Sequence, residues 1–293
     1  MSIRTVGVLG CGLMGSGIAQ VSAVAGYAVI VRDLSDELLA RGRTTIEASL
    51  AKFVEKGKLD PAARATAVER LRFTTALEEL SSCDLVIEAV TEELELKNTL
   101  WTALDRLCAP ATLFASNTSS LSIMAMARVT QRPERFLGLH FFNPVPLMPL
   151  VEVVRTVGTA GATLEVATQF VRSLGKEPIA ARDTAGFIVN LLLIPYLLDA
   201  VRAVERGVAS VQDIDAGMKL GCGHPMGPLT LLDFVGLDTS LKVGEILYEE
   251  FREARYAPPP LLKRMVLAGW LGKKSGKGFY DYAVTPPAPS ELQ

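Results

Sequence analysis

Six residues, Gly10-Cys11-Gly12-Leu13-Met14-Gly15, limit what this chain can build more than any other stretch. They follow Ile3–Leu9, a short apolar run with β-branched residues, suited to a strand covered on both faces. They precede a segment that reads as a helix to about Ala25, with Gly26 as its C-terminal stop. Gly10 permits the tight turn after the strand, Gly12 lets the backbone approach a ligand, and Gly15 allows the helix to pack closely on the strand. The helix N-terminus then offers unpaired N–H groups to a phosphate. Ala28–Val31 is the next strand, ending at Arg32-Asp33, and Asp33 stands 18 residues after Gly15. A spacing of about 20 is expected for the carboxylate that holds an adenosine ribose. Strand, glycine turn, helix and acid in this order imply a dinucleotide site over Gly10, Gly12, Leu13, Met14, Gly15 and Asp33. A carboxylate there accepts hydrogen bonds from ribose hydroxyls and repels a 2′-phosphate. That favours NAD over NADP, although Arg32 beside it works the other way.

Alternation continues beyond this unit. Ser35 reads as an N-cap, with Asp36 and Glu37 in the first turn where the helix dipole favours them, and that helix extends through Ser49, Lys52 and Lys56. Further strands are expected at Asp84–Val90, Thr112–Ser116, Arg135–Phe141, Leu150–Arg155 and Pro178–Arg182. Strands alternating with helices imply an α/β domain with a mostly parallel sheet covered on both sides. After about Thr184 the strand signals stop. Helices are expected at Phe187–Arg206, Val211–Leu220, Leu229–Arg252 and Leu261–Leu271, with a kink at Pro195 and a capping box opening at Ser210. Residues 286–293 read as a loose tail. The expected division is residues 1–184 and a smaller all-helical domain, 185–293.

Two uncharged stretches invite a membrane or targeting reading. Thr184–Leu198 is 15 residues long, short of the ~20 that a spanning helix needs. Thr5–Val31 follows Arg4 and contains Ala23-Val24-Ala25, like a signal peptide with its cleavage site. Its six glycines make a poor continuous helix and suit strand, turn and helix better. A folded, cytoplasmic protein is therefore expected, without membrane attachment. The net charge of −2 gives no basic field for nucleic acid. Four scattered cysteines without a CxxC pair, together with two histidines, give no expectation of a metal site.

Polar residues gather where the strands end. Ser116-Asn117-Thr118-Ser119-Ser120 closes one expected strand, and His140-Phe141-Phe142-Asn143-Pro144 closes the next. Glu152 lies among Val151, Val153 and Val154, which argue for its burial. A buried carboxylate needs a partner, and His140 is the candidate at hand. Ligands of an open parallel sheet bind at the carboxyl ends of its strands, which puts His140 near the nicotinamide. Taken one at a time, these residues have blander readings: a hydrogen-bonded core histidine for His140, and capping or turn roles for Ser119 and Asn190. His224, in a glycine/proline-rich loop, reads as structural.

From Ile3 to Tyr282 the chain resembles the L-3-hydroxyacyl-CoA dehydrogenases, including the 3-hydroxybutyryl-CoA type. The resemblance is carried by the glycine turn continuing as Ser16-Gly17-Ile18-Ala19-Gln20, by Ser116–Ser120 and by Gly138–Pro144. It goes on through Leu150–Val153, Asp183–Asn190, His224–Pro228 and Gly276–Tyr280. It implies a Rossmann-like domain followed by a helical substrate and dimerisation domain, an acyl-CoA substrate, NAD as cofactor and a homodimer. His140 would be the general base toward the 3-hydroxyl, and Glu152 would orient and charge-balance it. Ser119 and Asn190 would hydrogen-bond the reacting oxygens. Glu92, Lys97, Ser119, Asn143 and Lys274 fall where members contact NAD, and Ser49 and Lys56 where they contact coenzyme A. Ser49 and Lys56 are seven residues apart, on one face of a helix. Leu191 and Pro149 depart from the family pattern, where arginine and lysine are common. The resemblance covers nearly all of the chain, so no fused hydratase is expected within it. Two further readings compete: a dehydrogenase of sugar acids or carnitine on the same scaffold, and a non-catalytic, crystallin-like protein.

Overall fold

The computed structural model describes residues 2–291. The chain divides into two compact units, Met1–Phe187 and Ile188–Gln293. In the first, β1 (Thr5–Leu9), α1 (Leu13–Val24), β2 (Ala28–Arg32), α2 (Asp36–Glu55), α3 (Pro61–Glu69) and β3 (Leu71–Thr74) are followed by β4 (Leu85–Glu88), α4 (Leu94–Leu107), β5 (Leu113–Ser116) and α5 (Ile123–Ala127). Then come β6 (Phe136–Phe141), β7 (Leu150–Arg155), α6 (Gly161–Ser173) and β8 (Glu177–Arg182). The eight strands make one sheet in the order β3-β2-β1-β4-β5-β6-β7-β8. Neighbours run parallel except β6 and β7, which are antiparallel. The direction of chain progress reverses between β1 and β4, the kind of place where an open sheet takes its ligand.

Strand side chains alternate between faces, and both faces are covered. Val6, Val8, Ile87, Ala115, Leu139 and Phe141 pack with apolar residues of α1, α2 and α6. Val86, Phe114, Phe136 and Val154 turn the other way, toward Trp101 and Leu104 of α4 and Met126 of α5. The Trp101 ring lies 5.0 Å from that of Phe114 and 4.8 Å from that of Phe136. Full burial of such a side chain contributes roughly 1.5–3 kcal/mol. Along this same face the period of two carries each strand from an apolar residue to a polar one. Val86 gives way to Glu88, Phe114 to Ser116, Phe136 to His140, and Val154 to Glu152. An aromatic floor at one end of the face thus becomes a polar row at the other.

Thr5–Val31 folds as strand, helix and strand. The Ser35 hydroxyl accepts a bond from the Leu38 amide at 3.3 Å, capping α2. Sequence reading missed β3, a four-residue strand at the sheet edge.

The second unit holds α7 (Val189–Glu205), α8 (Val211–Cys222), α9 (Pro228–Val235), α10 (Leu237–Phe251) and α11 (Pro260–Leu267). The helix expected over Leu229–Arg252 is two helices, because Gly236 at φ 105° breaks it. Helix α7 runs on through Pro195. Ser210 caps α8, accepting from the Asp213 amide at 3.1 Å. The helix expected to reach Leu271 stops at Leu267, just before Gly269 at φ 76°. The expected loose tail is in part ordered: β10 (Ala288–Pro289) pairs antiparallel with β9 (Tyr280–Asp281), and the Ser290 amide donates to Phe279 O at 2.9 Å. Residues 292–293 lie outside the described residues. Among the described residues no helix is long and apolar enough to cross a membrane.

Candidate active site

The glycine turn caps the β1 end of the sheet. Gly10 has φ 99°, a conformation side chains resist, and a Cβ there would stand 2.7 Å from Ala89 O. A Cβ on Gly15 would stand 1.9 Å from Gly10 O, so only glycine lets α1 start this close to the strand. At Gly12 the same test meets nothing within 4 Å: no protein atom requires glycine there, and the direction is open to a ligand. Gly12 is the N-cap of α1 and brings no capping side chain, which leaves the first-turn amides outward-facing around exposed Leu13 and half-buried Met14. Asp33, just past β2, accepts the Cys11 amide at 2.6 Å and the Leu34 amide at 2.7 Å. Its carboxylate therefore sits against the glycine turn.

A buried ionic network stands at the ends of β4 and β5. Glu88 is fully buried, and its Oε1 lies 2.5 Å from Lys97 Nζ. Its Oε2 accepts from the Ser116 hydroxyl at 2.6 Å. Lys97, 1 % exposed, also reaches Glu92 Oε2 at 3.1 Å. Glu92 Oε1 accepts from the Thr118 hydroxyl and, at 3.1 Å, from the Ser119 amide. Burial pushes the Glu92 carboxyl up, but the Lys97 ammonium and the bonds from Thr118, Lys97 and Ser119 outweigh it and hold Glu92 below the usual carboxylate range. Lys97 thus lies beneath Glu92, and the two fix the segment that carries Ser119. Glu88 was not singled out from the sequence. The argument applied to Glu152 would have found it: a carboxylate ending the apolar run Leu85–Ile87 needs a buried partner.

His140 and Glu152 are direct cross-strand partners in the β6–β7 ladder. His140 Nδ1 lies 2.6 Å from Glu152 Oε2, and both residues are buried. A bond at Nδ1 leaves Nε2 as the nitrogen free of the carboxylate. The imidazole is flanked by the rings of Phe142 and Phe187, at 4.5 and 5.6 Å. Asn117 Oδ1 accepts the Phe141 amide at 2.9 Å, tying the loop after β5 to the end of β6. Asp183 accepts the amides of Ile123 and Met124 at 2.8 and 2.7 Å, holding the start of α5. Ser119 is half-buried, and Asn143 is exposed at the end of β6. This arrangement can take a proton from a substrate hydroxyl and compensate the charge that results.

The remaining sequence-predicted residues lie elsewhere. Ser49 and Lys56 line one cavity of about 170 Å³ on the first unit. In the second unit, half-buried Asn190 belongs to the first turn of α7. Lys274 is exposed and paired with Asp238 at 2.6 Å. His224 is exposed, with Nδ1 3.1 Å from the Tyr196 hydroxyl. Sequence reading also missed Asp233, which accepts the amides of Phe279 and Tyr280 and the Tyr282 hydroxyl at 2.8, 2.9 and 3.1 Å. Burial, helped by the charge of Asp215, pushes its carboxyl up to about 6 despite these donors. Asp215 in turn accepts the Leu229 amide at 2.8 Å and the Tyr280 hydroxyl at 2.9 Å.

Comparison with known proteins identifies the family of both units. Residues 5–184 match the NAD binding domain of 3-hydroxyacyl-CoA dehydrogenase, and residues 186–282 match the C-terminal domain of the same family. A 3-hydroxybutyryl-CoA dehydrogenase of Mycobacterium tuberculosis is 50% identical over 283 residues, covering 96% of this chain and 99% of that one. A probable 3-hydroxybutyryl-CoA dehydrogenase of Deinococcus radiodurans is 49% identical over 276 residues, covering 94% and 99%. The crystal structure of (S)-3-hydroxybutyryl-CoA dehydrogenase from Ralstonia eutropha superposes with a TM-score of 0.92 at 46% identity, covering 96% and 99%. With a glycine-turn nucleotide fold, a buried histidine–glutamate pair and family matches over both units, the chain belongs to the 3-hydroxyacyl-CoA dehydrogenases.

Proposed function

We propose that this enzyme interconverts a short-chain (S)-3-hydroxyacyl-CoA, of the 3-hydroxybutyryl-CoA type, and the 3-oxoacyl-CoA with NAD. The carrying observation is the His140–Glu152 pair at 2.6 Å on a dinucleotide-binding sheet. His140 Nε2 takes the proton of the substrate 3-hydroxyl in the oxidative direction and returns it in the reductive one. Glu152 accepts from Nδ1, fixes the tautomer and balances the imidazolium. Ser119 and Asn190 hydrogen-bond the reacting oxygens. When bound, NAD supplies the hydride acceptor for C3. Asp33 holds its adenosine ribose and the Gly10–Gly15 turn its pyrophosphate, with Glu92, Lys97, Asn143 and Lys274 belonging to the cofactor's surroundings in the family pattern. Ser49 and Lys56 contact the coenzyme A portion.

The second unit, from about residue 185, serves substrate binding and pairs with a second copy of the chain. Support for the dimer comes from large apolar side chains exposed on it, among them Leu192, Leu220 and Leu267. Sedimentation at micromolar concentration should give twice the mass of 31.5 kDa; a monomer throughout would reject the dimer. A cytoplasmic location and a place in fatty-acid metabolism accompany this substrate.

The test of the activity is NADH consumption with acetoacetyl-CoA against free acetoacetate, repeated with NADPH. Turnover restricted to the thioester and NADH is expected. Turnover of the free acid, or of neither compound while NADH binds, would move the substrate to the sugar-acid or carnitine class or remove the catalytic reading.

A further inference from the structure

Ser119 and His140, which have to meet at one oxygen of the substrate, hang from different strands of the sheet. The segment that carries Ser119 is fastened toward β4. Ser116 donates its hydroxyl to Glu88 Oε2 at 2.6 Å, and Thr118 donates its hydroxyl to Glu92. The Ser119 amide also donates to Glu92, at 3.1 Å. His140 is fastened on the other side, to β7, through its ladder pairing with Glu152 and the 2.6 Å contact between their side chains. Between these two halves, the β5–β6 ladder ends at the pair Ser116–Gly138, two residues before His140.

Half-buried Asn117 spans the gap. Its main-chain amide donates to Glu88 O at 2.8 Å, which keeps its backbone with β4. Its side chain reaches the other way, and Oδ1 accepts the Phe141 amide at 2.9 Å. That amide belongs to the peptide unit leaving the His140 Cα. A peptide unit is planar, so a hold on its N–H restrains the ψ angle of His140 and the course of the strand under the imidazole. One side chain thus stands in for the ladder pairs that β5 stops providing.

We infer that Asn117 is a positioning residue for the proton transfer, setting the spacing between the Ser119 hydroxyl and the His140 imidazole and acting through them rather than on the substrate. This rests on the 3-hydroxyacyl-CoA reading and deepens it. Glu152 orients the imidazole from one side of β6, and Asn117 places the strand itself from the other. A shift of about 1 Å between reacting groups can cost ~10²-fold in rate, so a bond of this kind counts for more in turnover than in stability. Leucine at position 117 has nearly the size of asparagine and no acceptor, whereas aspartate keeps the accepting oxygen.

The test measures kcat with acetoacetyl-CoA and NADH, per molecule that binds NADH and at the plateau of each pH profile. Asn117→Leu and the smaller Asn117→Ala should each lower kcat at least about tenfold, while the dissociation constant of NADH stays within about twofold of wild type. Asn117→Asp should stay within about threefold of wild type in kcat, because it still accepts the Phe141 amide. Added to Ser119→Ala, Asn117→Leu should cost less than it does alone, since the spacing it disturbs has then lost one end. Near-normal kcat in both the leucine and alanine variants would overturn the inference. So would equal losses in Asn117→Asp and Asn117→Leu, or the same cost with and without Ser119. Loss of NADH binding alongside kcat would make Asn117 a residue of the fold or of the cofactor site and overturn it as well. A wild type that binds NADH but leaves acetoacetyl-CoA unchanged would instead remove the acyl-CoA reading, and the inference with it.

Discussion

Glu152 stands directly across the β6–β7 ladder from His140, with its Oε2 2.6 Å from the Nδ1 of the imidazole. Neighbouring strands of one sheet therefore set the distance between proton acceptor and counter-charge. His140→Gln should lower kcat by ~10²–10⁴ while NADH still binds, the range typical of a lost acid–base group. Glu152→Gln keeps the size and removes the charge, and a loss of roughly 10²-fold or more is expected. Stopped-flow turnover with acetoacetyl-CoA, alongside NADH fluorescence titration, measures both. Near-normal kcat in His140→Gln would remove the histidine from the mechanism.

Asp33 has two tasks that a single substitution to alanine would confuse. It binds the Cys11 amide at 2.6 Å, and it is the carboxylate assigned to the ribose. Asp33→Asn keeps an oxygen for the amide and loses the charge that repels a 2′-phosphate. The ratio of kcat/KM for NADH over NADPH should fall at least about tenfold, the worth of one charge-assisted contact of 1.4 kcal/mol or more. An unchanged ratio would place cofactor choice in other residues.

The Glu88–Lys97 pair is buried on both sides, at 0% and 1% side-chain exposure. Lys97→Met strands a carboxylate in the interior, and a loss of about 3–5 kcal/mol is expected. Adding Glu88→Gln to Lys97→Met should recover part of that loss, because the fully buried carboxylate is then neutral and only the partly exposed Glu92 still lacks the ammonium. Urea unfolding of the two single variants and the double variant gives the coupling directly. Strict additivity would show that the pair does not act as a unit.

Asp233 makes stability depend on pH in a direction unusual for a carboxylate. Burial, with Asp215 adding to it, raises its folded-state pKa from 3.8 to about 6. A raised pKa contributes stability below the unfolded value, and that contribution is lost as pH rises through the folded one. Between about pH 4 and pH 7 the wild type should lose stability relative to Asp233→Asn, by at most on the order of 3 kcal/mol. Urea midpoints of both proteins across this window provide the measurement, and a gain with rising pH would reverse the assignment.

Most of the first unit was legible because its signals are local. The glycine turn, the apolar strands and the acid after β2 each follow from a few adjacent residues, and Asp84–Val90 reads as a strand on composition alone. The pairing of His140 with Glu152 was legible for another reason: a carboxylate amid valines has to find a partner. Edge strand β3 escaped because Leu71–Thr74 is short and mostly half-exposed, so little apolar pattern marks it. The break at Gly236 escaped because the apolar residues of α9 and α10 continue one helical rhythm across it. Only the backbone conformation of that glycine separates the two helices. Asp215 and Asp233 were hidden by distance along the chain. Asp233 binds residues 46 and 47 positions away, and no local pattern announces such partners.

The β6–β7 ladder also makes the chemistry a gauge of correct folding. In a strand, a shift of one position sends every side chain to the opposite face. A chain that docked this hairpin one residue out would put Leu139 or Val153 where the imidazole or the carboxylate belongs, and would turn a charged group into the aliphatic layer. Such a chain could be compact and helical and still be silent in an assay. Specific activity, divided by the number of molecules that bind NADH, therefore counts the chains in which β6 and β7 closed in step.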